Sequence, residues 1–190
     1  MTFLDKFLQR QRINMAIRHI PAGTTVLDIG CHQGELFRTL GKRLHYGWGI
    51  DPLLPEDYVA RNFSLVKGFF PNDWTIPVTV NCICLLAVLE HIPYSLQQDI
   101  AGRCAQLLIP DGLVIITVPA PKTDILLAIL KKLRLIKGMS LEEHYGFDPK
   151  NIPAIFRQAG FNLQLNKKFQ LGFNNIFVFK NTQPIKGLNR

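Results

Sequence analysis

The chain has 190 residues, 47% of them hydrophobic, which suffices for one domain with a proper core and excludes a disordered or low-complexity protein. Lys and Arg number 22 against 14 Asp and Glu, a net charge of +8, which permits acidic partners, nucleic acid or an anionic membrane surface and selects none of them. Cys31, Cys82, Cys84 and Cys104 form no C-x-x-C pair and have no histidine cluster beside them, the pattern of reduced, packed thiols in a cytoplasmic protein. No signal peptide is recognisable, and no apolar run reaches the roughly 20 residues a membrane span needs.

Thr2 to His19 reads as a helix, with Phe3, Phe7, Ile13 and Ile17 at near-helical spacing and Arg10, Arg12 and Arg18 adding charge. Pro21-Ala22-Gly23 ends it. Val26, Leu27 and Ile29 then form the apolar, β-branched run of a buried parallel strand. The strand leads through Gly30-Cys31-His32-Gln33-Gly34 into a helix marked by Leu36, Phe37 and Leu40. Glycine at such a turn permits positive φ and leaves bare backbone for a ligand. Asp28 stands at the carboxyl end of the strand, where ligands bind in open α/β sheets. A dinucleotide fold wants G-x-G-x-x-G; here those positions hold Gly30, His32 and Glu35, so a ligand without phosphates fits better.

Val26-Leu27-Asp28-Ile29-Gly30-Cys31-His32-Gln33-Gly34 resembles motif I of the class I S-adenosylmethionine (SAM) methyltransferases, with His32 replacing one glycine of the family's V-L-D-I-G-C-G-x-G. The resemblance extends over roughly residues 20 to 180. It implies an α/β, doubly wound, Rossmann-like sheet of seven strands with the last antiparallel and helices on both faces. It also implies SAM as cofactor, and for the N-terminal helix a cover over the cofactor or substrate cleft, beside the reading of a packed outer helix with solvated arginines.

The next strand, His45 to Ile50, runs into Asp51-Pro52. Asp51 lies 21 positions after Gly30, the spacing of an acid that accepts ribose hydroxyls. Phe63 to Lys67 is a third strand, followed by Gly68-Phe69-Phe70-Pro71. In the family this turn contacts adenine, often through an Asp after the glycine; here Phe69 either stacks in its place or joins Phe70 in the core. Val80 to Leu86 is a fourth, continuously apolar strand. Ala87-Val88-Leu89-Glu90-His91-Ile92-Pro93 then resembles the family's V-L-E-H signature, with Ala87 bordering the methionine part of SAM. His91 is a candidate general base, or else half of a structural pair with Glu90. The expected cofactor-binding set is therefore Asp28, Gly30, Cys31, His32, Gly34, Asp51, Pro52, Gly68, Phe69 and Ala87, with no metal ligands.

Tyr94 to Leu108 reads as a helix, Ile109-Pro110-Asp111-Gly112 as a turn, and Leu113 to Val118 as a fifth strand ending at Pro119. Residues 119–147 form an insertion. Within it, Asp124 to Ile136 is a basic amphipathic helix whose Leu127 and Leu135 interrupt its polar face. It is a lid over the site, an interfacial membrane helix or a dimer contact. Glu142 to Phe147 resembles the family's H-x-x-x-F region, which makes His144 a second candidate base and His144, Tyr145 and Leu127 candidate substrate contacts. Asp148 caps a late helix that ends at Gly160. Asn162 to Gln170 and Phe173 to Lys180 form a terminal hairpin.

The implied reaction is transfer of the SAM methyl group to a small-molecule or lipid-like acceptor, with possible peripheral membrane contact. Two rivals remain open: a SAM-fold binding module without catalysis, and an RNA or protein methyltransferase. The absence of an N-P-P-[YF] motif after the fourth strand and the scattered positive charge weigh against nucleic acid.

Overall fold

The computed structural model describes residues 3–120 and 147–183. In chain order the elements are α1 (Phe3–Ala16), β1 (Thr24–Ile29), α2 (Glu35–Leu40), β2 (Leu44–Asp51), β3 (Tyr58–Val59), β4 (Phe63–Lys67) and β5 (Val80–Leu86). They continue with α3 (Tyr94–Leu107), β6 (Leu108–Pro119), α4 (Ile152–Gln158), β7 (Phe161–Phe169) and β8 (Asn174–Asn181).

The strands form one eight-stranded sheet in the order β3-β4-β2-β1-β5-β6-β8-β7. β1 pairs in parallel with both β2 and β5, and β5 in parallel with β6. β8 runs antiparallel between β6 and β7. The chain builds outward from β1 in one direction and then returns to build in the other. The crevice at such a reversal, above the carboxyl ends of the strands, is where ligands bind in open α/β sheets.

The apolar runs occupy both faces of the sheet. On one face Leu27, Ile83, Leu85, Val114 and Ile116 pack under α3 and α4, where Phe156 stacks on Phe179 at 4.9 Å. On the other, Val26, Cys82, Cys84, Ile115 and Ile176 pack under Ile13 and Ala16 of α1 and Leu36 and Phe37 of α2. Burying each large side chain there contributes about 1.5–3 kcal/mol. The four cysteines are free and buried. Burial pushes the Cys104 thiol up to about 12, which fits packing residues.

Several boundaries differ from the sequence reading. The sheet has eight strands, not seven, because Tyr58–Val59 folds back antiparallel on β4. Two exposed residues are too short to show alternation. The expected turn at Ile109 to Gly112 is a bulge inside β6: Val80 pairs with Leu108 but Cys82 with Leu113. Asp111 takes φ +62° there, a conformation Asp tolerates. α1 stops at Ala16 and not at His19, and α2 spans only Glu35–Leu40 before a 3₁₀ turn. Asp148 does cap, accepting the Lys150 N–H, but over a 3₁₀ turn that precedes α4. The helix expected over Asp124 to Ile136, with Leu127, His144 and Tyr145, lies outside the described residues.

Candidate active site

The turn from β1 to α2 is left-handed at Gly30 (φ +75°), His32 (φ +47°) and Gly34 (φ +81°). His32 therefore adopts a left-handed conformation that glycine takes more readily. Gly30 N–H donates to the Ile50 carbonyl at 2.8 Å, and Gly34 N–H to the Cys31 carbonyl at 2.8 Å. The position a Cβ would take on Gly30 is filled by the protein: it would meet Val88 Cγ2 at 2.3 Å. Glycine is needed because the loop after β5 closes onto the turn. Cys31 is 3% exposed, and its thiol is pushed well up by burial and then by Asp28 and Asp51. A Cβ on Gly49 would sit 2.6 Å from its Sγ. The Cys31 side chain thus fills the space beneath the turn.

Asp51, at the end of β2, ties two loops together. Its Oδ2 accepts the His32 N–H at 2.8 Å and its Oδ1 the Leu53 N–H at 2.8 Å. Each oxygen keeps a second lone pair. Pro52 lies between, half-buried, and Leu53 is exposed. The His32 ring points away from Asp51, with Nδ1 3.1 Å from Glu35 Oε1 in an exposed pair.

At the end of β4, Phe69 is 66% exposed, so it is not a core residue; Phe70 packs against the core instead. Asp73, which the sequence reading passed over, accepts the Phe69 N–H at 2.7 Å. A Cβ on Gly68 would meet the Asp73 Cβ at 2.6 Å. An acid thus returns to this turn from four residues downstream, a displacement that motif spacing does not register.

Beyond β5, Ala87 takes φ +60° and donates its N–H to the Thr117 carbonyl at 2.8 Å. Glu90 is buried at 2% exposure, while His91 is exposed. Gln97, buried on α3, donates to the carbonyls of Leu89 (3.3 Å) and Ile92 (2.8 Å) and pins this loop. The sequence gives no sign of that, because a helical glutamine usually faces water.

Asp28 is 4% exposed, and its Oδ1 finds no hydrogen-bond partner among the described residues. Burial raises its carboxyl well above the usual range, and the Asp51 and Glu35 charges push the same way. It borders a crevice of about 30 Å³ between Gly30, Cys31, Leu86 and the residues Gln9, Arg12 and Ile13 of α1. The helix therefore both packs on the core and roofs the crevice. A cleft of about 780 Å³ opens beside it, lined by Lys6, Arg10 and Asn14 on one wall and His32, Gln33 and Glu35 on the other.

A sequence profile for the methyltransferase domain matches residues 2–166. A ubiquinone biosynthesis O-methyltransferase of Xylella fastidiosa (strain 9a5c) is 28% identical over 169 residues, covering 80% of this chain and 67% of that protein. Across such relatives the chain spans 63% to 71% of their length. Among solved structures, a methyltransferase bound to the Haloferax volcanii Trm112 activator superposes with a TM-score of 0.67 at 14% identity, over 92% of each chain. The magnesium protoporphyrin IX methyltransferase of Synechocystis PCC 6803, with bound SAH, superposes with a TM-score of 0.65 at 18% identity, over 96% of this chain and 89% of that one. With the strand order, the turn after β1 and the profile match over most of its length, the chain belongs to the methyltransferase domain family and is a SAM-dependent methyltransferase.

Proposed function

We propose that this enzyme methylates a hydroxyl group of a small, largely apolar molecule, and that the turns after β1, β2, β4 and β5 hold SAM. The observation that carries the cofactor assignment is the Asp28 Oδ1 oxygen, a buried carboxylate oxygen on the crevice with no partner among the described residues. Such an atom calls for a cationic donor, and the SAM ammonium is one. Asp51 keeps lone pairs for two ribose hydroxyls. Gly30, Cys31, His32 and Gly34 offer backbone at the turn, with Pro52 beside Asp51. Phe69, exposed next to Gly68, offers a face for the adenine. Ala87 borders the methionine arm.

Bound there, SAM supplies a methyl group on a sulfonium, an electrophile that needs an aligned acceptor. Gln9, Arg12 and Ile13 of α1 wall the crevice on one side and Val88 packs on Gly30, and these elements hold that alignment. A hydroxyl acceptor must also lose a proton, and His91 and His144 are the side chains proposed to take it at an imidazole nitrogen. The small-molecule reading is supported by the relatives named O-methyltransferases. A lipid-like acceptor, a peripheral membrane contact and a cytoplasmic setting belong to the same proposal. No helix among the described residues is long and apolar enough to cross a membrane.

The test is label transfer from methyl-labelled SAM in a fractionated cell extract, with calorimetry for SAM and its demethylated product. Label is expected in organic-soluble small molecules. Label in RNA or protein would overturn the acceptor class, and millimolar or weaker binding of both cofactor forms would overturn the site assignment.

A further inference from the structure

Gln97 stands where an apolar side chain would be expected. The buried residues Gln97, Ile100, Ala101, Cys104 and Ala105 of α3 follow the spacing of one helix face, and an amide heads that stripe. It is 2% exposed, and a buried amide costs free energy unless it is hydrogen-bonded. Its Nε2 carries two N–H groups and finds two acceptors, the carbonyls of Leu89 at 3.3 Å and Ile92 at 2.8 Å. A carbonyl only accepts, so the nitrogen is the atom of the amide that faces the loop. Gln97 itself borders neither the crevice nor the cleft.

The segment from Ala87 to Ile92 is thereby fastened at both ends. At its start the Ala87 N–H donates to the Thr117 carbonyl of β6 at 2.8 Å. Ala87 is held there at φ +60°, a left-handed conformation that costs energy in a residue with a Cβ and persists where the surroundings fix the chain. At its end the Leu89 carbonyl accepts the Ile92 N–H at 3.2 Å as well as the Gln97 amide. Between these anchors Val88 packs on the turn after β1, so closely that a Cβ on Gly30 would lie 2.3 Å from Val88 Cγ2. Gly30 and Leu86, the latter one residue ahead of the segment, both line the crevice beside Asp28.

We infer that Gln97 is a positioning residue for the cofactor: its two hydrogen bonds hold Val88 against the Gly30 turn, and the affinity for SAM depends on that contact. Without the amide, Ala87 relaxes out of the left-handed region and Val88 withdraws from the turn. The inference rests on the proposed SAM site and adds a determinant of affinity that lies outside the crevice.

The test is calorimetry of the full chain with SAM and with its demethylated product. Gln97→Met fills a similar volume without a donor and should weaken both by at least about tenfold, the net worth of about one hydrogen bond. Gln97→Asn keeps the amide but is one methylene shorter, so it should lose about as much; an amide that merely filled space would tolerate it. The Val88 methyl resonances should move in both variants, while those of Ile176, on the other face of the sheet, hold. Val88→Ala should weaken binding by a similar factor. Gln97→Met/Val88→Ala should be at most about twofold worse than the weaker single variant, because both changes break the same contact. Affinity within about twofold of wild type in either folded Gln97 variant, or losses that multiply in the double variant, overturns the inference and leaves the SAM site standing. Wild type that binds neither cofactor form at millimolar concentration overturns the site, and the inference with it.

Discussion

Asp28 carries opposed demands. Burial raises its carboxyl well above the usual range, first by desolvation and then by the Asp51 and Glu35 charges. A carboxyl whose folded value is raised contributes stability that is complete below its unfolded value, about 3.9, and is lost as pH rises through the folded value. Wild type should therefore lose stability as pH increases above about 4 toward neutrality. Asp28→Asn should flatten that slope and raise the melting temperature at neutral pH by about 2–4 °C per kcal/mol recovered. The same change should weaken SAM binding by about 1.5–3 kcal/mol, since a charged partner for the ammonium is gone. In wild type, SAM affinity should grow with pH and binding should release protons, measurable by calorimetry in buffers of different ionisation enthalpy. An equally steep pH slope in the asparagine variant would show that the titrating group lies elsewhere. Asp51 tests differently, because it accepts from the His32 and Leu53 N–H groups as well as facing the proposed ribose position. Asp51→Ala should weaken SAM binding by about 1.5–3 kcal/mol and also lower the melting temperature, because two backbone donors lose their partner. Lost affinity without lost stability would mean the loops close without it.

The elements show why some of this was legible and some was not. β1, β4 and β5 could be read directly: each is a dense apolar run with a turn behind it, and the family motifs sit at their carboxyl ends. The eighth strand could not, since Tyr58–Val59 owes its pairing to β4 and not to a pattern of its own. Asp73 accepts the Phe69 N–H from four residues downstream, a position that motif spacing does not mark. Thr117 pairs with Ile176 only because β8 inserts beside β6, a pairing of residues 59 positions apart that no local period encodes. The role of α1 was left as a choice between cover and packing, and the helix does both. The crevice of about 30 Å³ shares Gln9, Ile13 and Glu35 with the larger cleft beside it, so a ligand seated there would touch α1. SAM or its demethylated product should then hold the roof in place, and tryptic cleavage after Lys6 and Arg10 should slow several-fold in its presence. A rate indifferent to ligand would remove α1 from the cofactor wall. Gly30→Ala should suffice to dislodge the Val88 loop, given the 2.3 Å contact a Cβ makes with Val88, and should abolish SAM binding. Normal binding in that variant would mean the loop repacks at no cost to the site.

At the scale of the molecule, the +8 charge looked scattered along the chain, but part of it gathers at one end of the sheet. β7 runs antiparallel to β8, which runs antiparallel to β6, so Lys167 and Lys168 stand at the same end as the carboxyl termini of β5 and β6. Both are exposed. Lys6 and Arg10 line the cleft under α1. His19 registers the field: its imidazole is held below its ordinary value first by burial and then by Arg18 and Lys167. Among these cations stand two apolar side chains with little cover, Phe7 at 49% exposure and Leu171 at 97%, the latter on the strained turn after β7. Cations around protruding apolar residues suit an anionic bilayer, to which each Lys or Arg near the surface adds about 1 kcal/mol. A lipid-like acceptor would be drawn from such a surface into the site. Sedimentation with phosphatidylglycerol-containing vesicles should therefore show binding that weakens steeply as salt rises past the point where the Debye length falls below about 10 Å. Lys167→Glu/Lys168→Glu should reduce that binding by at least about tenfold, while SAM affinity holds, since neither side chain touches the crevice. Leu171→Ser should weaken it further at high salt, where the apolar contact carries what remains. Vesicle binding that ignores all three substitutions would move the membrane contact to another face, and no vesicle binding at all would leave the acceptor to reach the site through water.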